Sequence, residues 1–187
     1  GSAGHFAQLS GDAPLRLTAK IIRQPIFGGD PSDLWVYEAN IAGQLSWNPF
    51  LRLKKGSQVS AVLQNQLGED TTIHWHGLHL DEKNDGSGMY PVRHTQSTIY
   101  RFNVANRAGL YWYHAHPHFR TGAQIHKGMA GAMLIEDEND DELRKRLGIE
   151  WGVTDLPLVI QDKQIDARNK LRYERNEDDW IGNRVAV

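Results

Sequence analysis

Apolar and polar residues alternate with a period of two along most of the chain. Leu15, Leu17, Ala19 and Ile21 are separated by polar neighbours. Leu34, Val36 and Ala39 continue the pattern, followed by Val59, Ala61 and Leu63, by Ile73-His74-Trp75-His76, and by Ile99, Phe102 and Val104. Leu110-Tyr111-Trp112-Tyr113, Met133-Leu134-Ile135 and Leu156 to Ile160 read as further strands. Residues i and i+2 of a strand share a face, so each alternation predicts one buried and one wet side. Phe27-Gly28-Gly29-Asp30-Pro31, Lys55-Gly56, Leu67-Gly68 and Asp85-Gly86-Ser87-Gly88 punctuate these runs as turns. Many short strands separated by turns predict an all-β sandwich or barrel. Only two segments read as helix. Asp140 to Leu147 has acidic residues first and Arg144-Lys145-Arg146 last, which suits the helix dipole, and Gly148 is a natural stop. Thr121 to Lys127 reads as a short helical turn.

The polar stretch Asp162 to Asp179 reads as a connection leading away from the domain, and Trp180-Ile181 and Val185-Ala186-Val187 resume an apolar pattern. The expected organisation is therefore a flexible end over 1–14, one domain over 15–162, and a connection toward a further domain over 163–187. Gly1-Ser2 reads as a processed end.

Composition narrows the chemistry. A net charge of −2 offers no basic face for nucleic acid, and no apolar run has the length of a membrane span. The chain has no cysteine, which removes disulfides, thiolate metal sites and cysteine nucleophiles together. Nine histidines are present, and all but His5 lie between His74 and His126.

Four of them form the pairs His74-Trp75-His76 and His114-Ala115-His116. On a strand, each pair would point to one face. On neighbouring strands, about 5 Å apart, four imidazoles would converge on one small volume. A single His-X-His is most often a solvated sheet feature. Two such pairs, each embedded in aromatics, argue for a metal site, because buried unpaired imidazoles are costly. Imidazole suits copper, zinc, iron and nickel alike, and spacing alone does not choose among them. The His-Glu-X-X-His zinc signature is absent, and Gly77-Leu78 follows the first pair where a metallo-β-lactamase type of site needs Asp and His. His79, His94 and His126 read as solvent-facing or hydrogen-bonded, His118, which continues the alternation of His114 and His116, as a surface residue or one that supports a ligand, and His5 as part of the flexible end. Trp75, Trp112 and Tyr113 read as packing that shields and orients the paired histidines.

Thr71-Thr72-Ile73-His74-Trp75-His76-Gly77-Leu78 and Gly109-Leu110-Tyr111-Trp112-Tyr113-His114-Ala115-His116 resemble the first two copper motifs of the three-domain multicopper oxidases, with the bacterial laccase and cuprous-oxidase branch nearest. Leu51 to Gly56, Asn65-Gln66-Leu67, Thr121-Gly122, Gly128 to Gly131 and Leu156 to Asp162 extend the likeness to the first cupredoxin domain of that family. The resemblance implies a cupredoxin-like Greek-key β-sandwich with one or two short helices. It implies that His74 binds a type 2 copper, that His76 and His114 share one type 3 copper, and that His116 binds the other. Asp85, eleven residues after His74, matches the family's acidic residue that assists proton delivery; as a residue before glycine it also reads as an ordinary turn aspartate.

In that family the remaining four cluster histidines, and the type 1 copper with its cysteine, belong to the third domain. The chain is expected to be the first domain of a laccase-like oxidase. Its partners would be dioxygen, a small phenolic, aromatic amine or metal-ion substrate, and the remaining cupredoxin domains, with no nucleic acid and no membrane. The family implies a periplasmic or extracellular location. The competing expectation is a stand-alone, non-enzymatic copper-binding cupredoxin module.

Overall fold

The computed structural model describes residues 6–174 and 182–186. His5, Trp180-Ile181 and Val187 lie outside the described residues. In chain order the elements are β1 (Phe6–Gln8), β2 (Leu15–Gln24), β3 (Ser32–Ile41), β4 (Gln44–Trp47), β5 (Phe50–Lys54), β6 (Gln58–Asn65), β7 (His74–His76), α1 (Glu82–Asp85), β8 (Ser97–Asn103), β9 (Gly109–His114), α2 (Thr121–His126), β10 (Ala130–Glu136), α3 (Glu138–Leu147), β11 (Gln161–Lys163) and β12 (Arg184–Ala186). Two five-stranded sheets, ordered β4-β3-β2-β6-β8 and β1-β5-β10-β9-β7, pack as a cupredoxin-like β-sandwich, and β11 pairs separately with β12.

The alternating runs supply the interior. Leu17 and Ala19 of β2, Val59, Ala61 and Leu63 of β6, Leu51 and Leu53 of β5, and Met133 and Ile135 of β10 are all buried in one cluster with Tyr37, Trp75 and Tyr113. The parallel pairing of β2 with β6 sets Leu17 opposite Leu63. One alternation was read out of phase. Tyr100, Phe102 and Val104 face the core, and Ile99 is 38% exposed. The period of two runs through the tyrosine, which carries a large apolar ring.

Four expectations are corrected. Leu156 to Ile160 is not a strand. These residues lie outside every named strand, Pro157 has no N–H to give a ladder, and Leu158 is 74% exposed. Phe6–Gln8, placed by sequence in a flexible end, pairs with β5, and Leu9 is buried. A third helix, α1, forms where only a turn was expected. Lastly, the described part of the polar stretch from Asp162 folds back on the domain: the Leu171 N–H donates to Ser32 Oγ at 2.7 Å, and Lys163 Nζ donates to the His126 carbonyl at 2.8 Å. The other helices match expectation closely. Asp137 caps α3 by accepting from the Asn139 and Asp140 N–H groups, Asp140 reciprocates, and Gly148 ends the helix in the left-handed region.

Candidate metal centre

β7 lies at the edge of its sheet, and its antiparallel register with β9 sets His74 opposite His114, Trp75 opposite Tyr113 and His76 opposite Trp112. The period of two then sorts the side chains. Trp75 and Tyr113 turn into the core and are fully buried. His74, His76, Trp112 and His114 share the outer face. Trp112 flanks two of the imidazoles, with ring centroids 4.2 Å from His114 and 4.8 Å from His76.

The backbone leading into β7 has no ladder partner at Thr72 and Ile73. Core tyrosines satisfy it instead. Tyr37 Oη donates to the Thr72 carbonyl at 2.6 Å, and the Ile73 N–H donates to Tyr100 Oη at 3.1 Å. Burial pushes the phenol of Tyr37 well above its ordinary range and that of Tyr100 up to about 12, so both remain neutral partners. On the other side, Gln124 of α2 is buried and fully engaged. It accepts from Thr71 Oγ1 at 2.7 Å and donates to Glu69 and to the Asp70 carbonyl.

The imidazoles approach as a cross-strand cluster. His76 Nδ1 lies 3.1 Å from His114 Nε2, and the nearest ring nitrogens of His74, His76 and His114 all lie within 4.8 Å of one another. Their other nitrogens are occupied in two cases. His74 Nδ1 is 2.8 Å from the Asp85 carbonyl, and His114 Nδ1 is 2.8 Å from the Ala115 carbonyl. A carbonyl only accepts, so both Nδ1 atoms carry the proton and both Nε2 atoms keep a lone pair. Burial, reinforced by the neighbouring histidines, holds His114 down to about 4, so its ring is neutral near pH 7.

This donor set fits a borderline metal such as copper. With metal–imidazole bonds of about 2.0–2.1 Å, two ligands of one ion stand roughly 3–3.5 Å apart, the separation found between His76 and His114. His116 lies one step outside this group. It follows the end of β9, its N–H donates to Thr72 Oγ1 at 3.0 Å, and its exposed ring sits 5.1 Å from that of His74. Asp85 ends α1, and its carboxylate Oδ2 is 3.3 Å from His74 Nδ1, farther than its own carbonyl.

Among the other histidines, His79, His94 and His118 are exposed, and His126 is buried with Nε2 on the Arg172 carbonyl at 2.6 Å. Sequence reasoning missed Thr72, Gln124 and Gly86. Each acts through backbone or a neutral side chain, and only the glycine left a trace, as a turn signal.

A multicopper oxidase family model matches residues 29–140. The multicopper oxidase mco of Staphylococcus aureus is 36% identical over 148 residues, covering 76% of this chain and 32% of that protein. The cell division protein FtsP of Haemophilus influenzae is 25% identical, covering 93% of this chain and 36% of that protein. The crystal structure of the McoA multicopper oxidase from Aquifex aeolicus superposes with a TM-score of 0.88 at 37% identity, covering 98% of this chain and 40% of that one. The chain thus spans about a third of the length of the curated relatives it matches.

Proposed function

From the premise that this chain belongs to the multicopper oxidase family, we propose that it is the first cupredoxin unit of a laccase-like oxidase and supplies half of the ligands of a type 2/type 3 copper cluster. The observation that carries this reading is the 3.1 Å approach of His76 Nδ1 to His114 Nε2 beside the lone pair of His74 Nε2. His76 and His114 would hold one type 3 ion together, His74 the type 2 ion and His116 the second type 3 ion. Copper held there would supply one-electron steps that carry dioxygen to water.

The chain's own residues prepare that chemistry. The Asp85 and Ala115 carbonyls select which nitrogen of His74 and His114 is free. Trp112 packs against one side of His76 and His114 and limits the directions their rings can turn. Reducing dioxygen to two waters consumes four protons. Asp85 would be the carboxylate that relays them: its own carbonyl makes the shorter contact with His74 Nδ1, which leaves its side chain to carry a proton. Phenols, aromatic amines or low-valent metal ions are the reducing substrates this reading expects, with the remaining cupredoxin domains as partners and a periplasmic or extracellular setting. Among the described residues no helix is long and apolar enough to cross a membrane.

A second reading, a non-enzymatic copper-binding module, draws support from the same triad, since three imidazoles within 4.8 Å can hold one ion alone. The two separate on reaction of the copper-loaded chain, alone and with a cysteine-bearing cupredoxin partner, with a phenol under oxygen. The oxidase reading expects turnover only with the partner. Copper binding with no turnover in either case supports the module, and turnover by this chain alone contradicts both.

A further inference from the structure

The Asp85 carbonyl reaches His74 because of the residue that follows it. Gly86 ends α1 in the left-handed region, with φ 75° and ψ 26°, and is buried against the backbone leading into β7. A Cβ at this position would stand 1.6 Å from the Ile73 carbonyl oxygen, 2.3 Å from the Ile73 carbonyl carbon and 2.8 Å from the His74 nitrogen. All three are main-chain atoms, so no side-chain rotation relieves the overlap. The helix is also braced on its far side. The Asp85 N–H donates to the Asp81 carbonyl, Asn84 Nδ2 donates to the Asp81 carboxylate, and the Arg101 N–H of β8 donates to Asn84 Oδ1 at 2.8 Å. The end of α1 is held between β8 and β7, and the Asp85 carbonyl lies 2.8 Å from His74 Nδ1.

We propose that Gly86 is a positioning residue for His74: the missing side chain lets the Asp85 main-chain carbonyl fix the proton on Nδ1 and so commits Nε2 as the metal-facing atom. The role of Nε2 rests on the copper reading above; the locked tautomer does not. The lock belongs to the main chain, which separates it from the proton-relay role of the Asp85 carboxylate. Any larger residue at position 86 must push the helix end away from Ile73 by more than 1 Å, which breaks a 2.8 Å hydrogen bond. Losing an outer partner of this kind lowers metal affinity about 10–100-fold.

The test is nitrogen-15 NMR of the imidazoles in the metal-free chain above pH 7, in the unaltered protein, Gly86→Ala and Asp85→Asn, followed by copper(II) titration of each. The expected result is a single Nδ1-protonated form of His74 in the unaltered chain and in Asp85→Asn, and a mixture of both tautomers in Gly86→Ala with copper affinity about 10–100-fold lower. An Nε2-protonated His74 in the unaltered chain overturns the proposal, and this measurement stands even if Gly86→Ala does not fold. An unchanged tautomer in Gly86→Ala overturns it too, as does a mixture in Asp85→Asn equal to that in Gly86→Ala, which would assign the lock to the carboxylate. A locked tautomer in a chain that binds no copper overturns the copper reading and supports the proposal.

Discussion

The histidine edge and the Leu156 to Ile160 segment border the same outer face of one sheet, and they are held in opposite ways. Trp112, Ala130 and Ala132 of that face and Leu158, Val159 and Ile160 of the segment wall a shared cavity of about 610 Å³. At the histidine edge hydrogen bonds hold the backbone and the rings, from the tyrosine hydroxyls on Thr72 and Ile73 to the carbonyls on His74 and His114. Along the segment, four of the five residues are apolar, exposed and outside any named strand. The first region fixes its ligand atoms through hydrogen bonds of 2.6 to 3.1 Å. The second offers apolar area with little to fix it. A ligand set needs the former, and a surface that meets another protein surface can be built from the latter.

The largest effect is expected where a glycine of the histidine sheet packs against a buried ring. A Cβ at Gly131 would lie 2.3 Å from the Tyr113 ring, whose hydroxyl is tied to the Pro49 carbonyl at 2.7 Å. Gly131→Ala should therefore destabilise the chain by about 3 kcal/mol, at the upper end of overpacking costs, in a urea melt. Replacing the fully engaged Gln124 by Leu should cost about 1–3 kcal/mol in the same assay, since Thr71 Oγ1, the Asp70 carbonyl and Glu69 each lose a partner, Glu69 keeping Arg120, and should loosen the segment of Thr72, whose Oγ1 accepts from the His116 N–H. Equal stability of Gln124→Leu and the unaltered chain would show that the network is incidental.

Acid should act through the buried histidines. His114 is held down to about 4 by burial, below the ordinary 6.5. The unfolded chain therefore takes up this proton first. The stability linked to His114 is complete above about pH 6.5, falls as the pH drops toward 4, and levels off below that. His126 is lowered in the same direction, again by burial first. Urea midpoints of the metal-free chain should fall across that window, and His114→Gln should flatten the slope. The smallest effect belongs to the other region: Leu158→Ser should change stability by no more than about 0.5 kcal/mol, and sedimentation should show less self-association.

The two regions also differ in how far they could be read from sequence. Leu17, Leu63 and Met133 announced themselves because a buried strand face must alternate, and the His-X-His pairs because a ligand face must do the same. The run Leu156 to Ile160 carries the same apolar composition without a partner strand, and composition alone does not tell an exposed apolar segment from a buried one. Helix α1 escaped notice because it is short and polar, held by Asp81 and Asn84 rather than by an apolar stripe. The role of Gly86 was hidden for a related reason: what matters there is a missing atom and a neighbour's carbonyl, and neither has a side-chain signature.

The paired histidines of β7 and β9 are proposed to form one copper-binding centre. Copper(II) titration of the chain and of the double variant His76→Ala/His114→Ala, read by electron paramagnetic resonance, tests it most directly. Nitrogen coordination is expected in the unaltered chain, with a loss of at least about 100-fold in affinity when both imidazoles are removed. Copper bound with the same affinity and the same nitrogen signature in the double variant would contradict it.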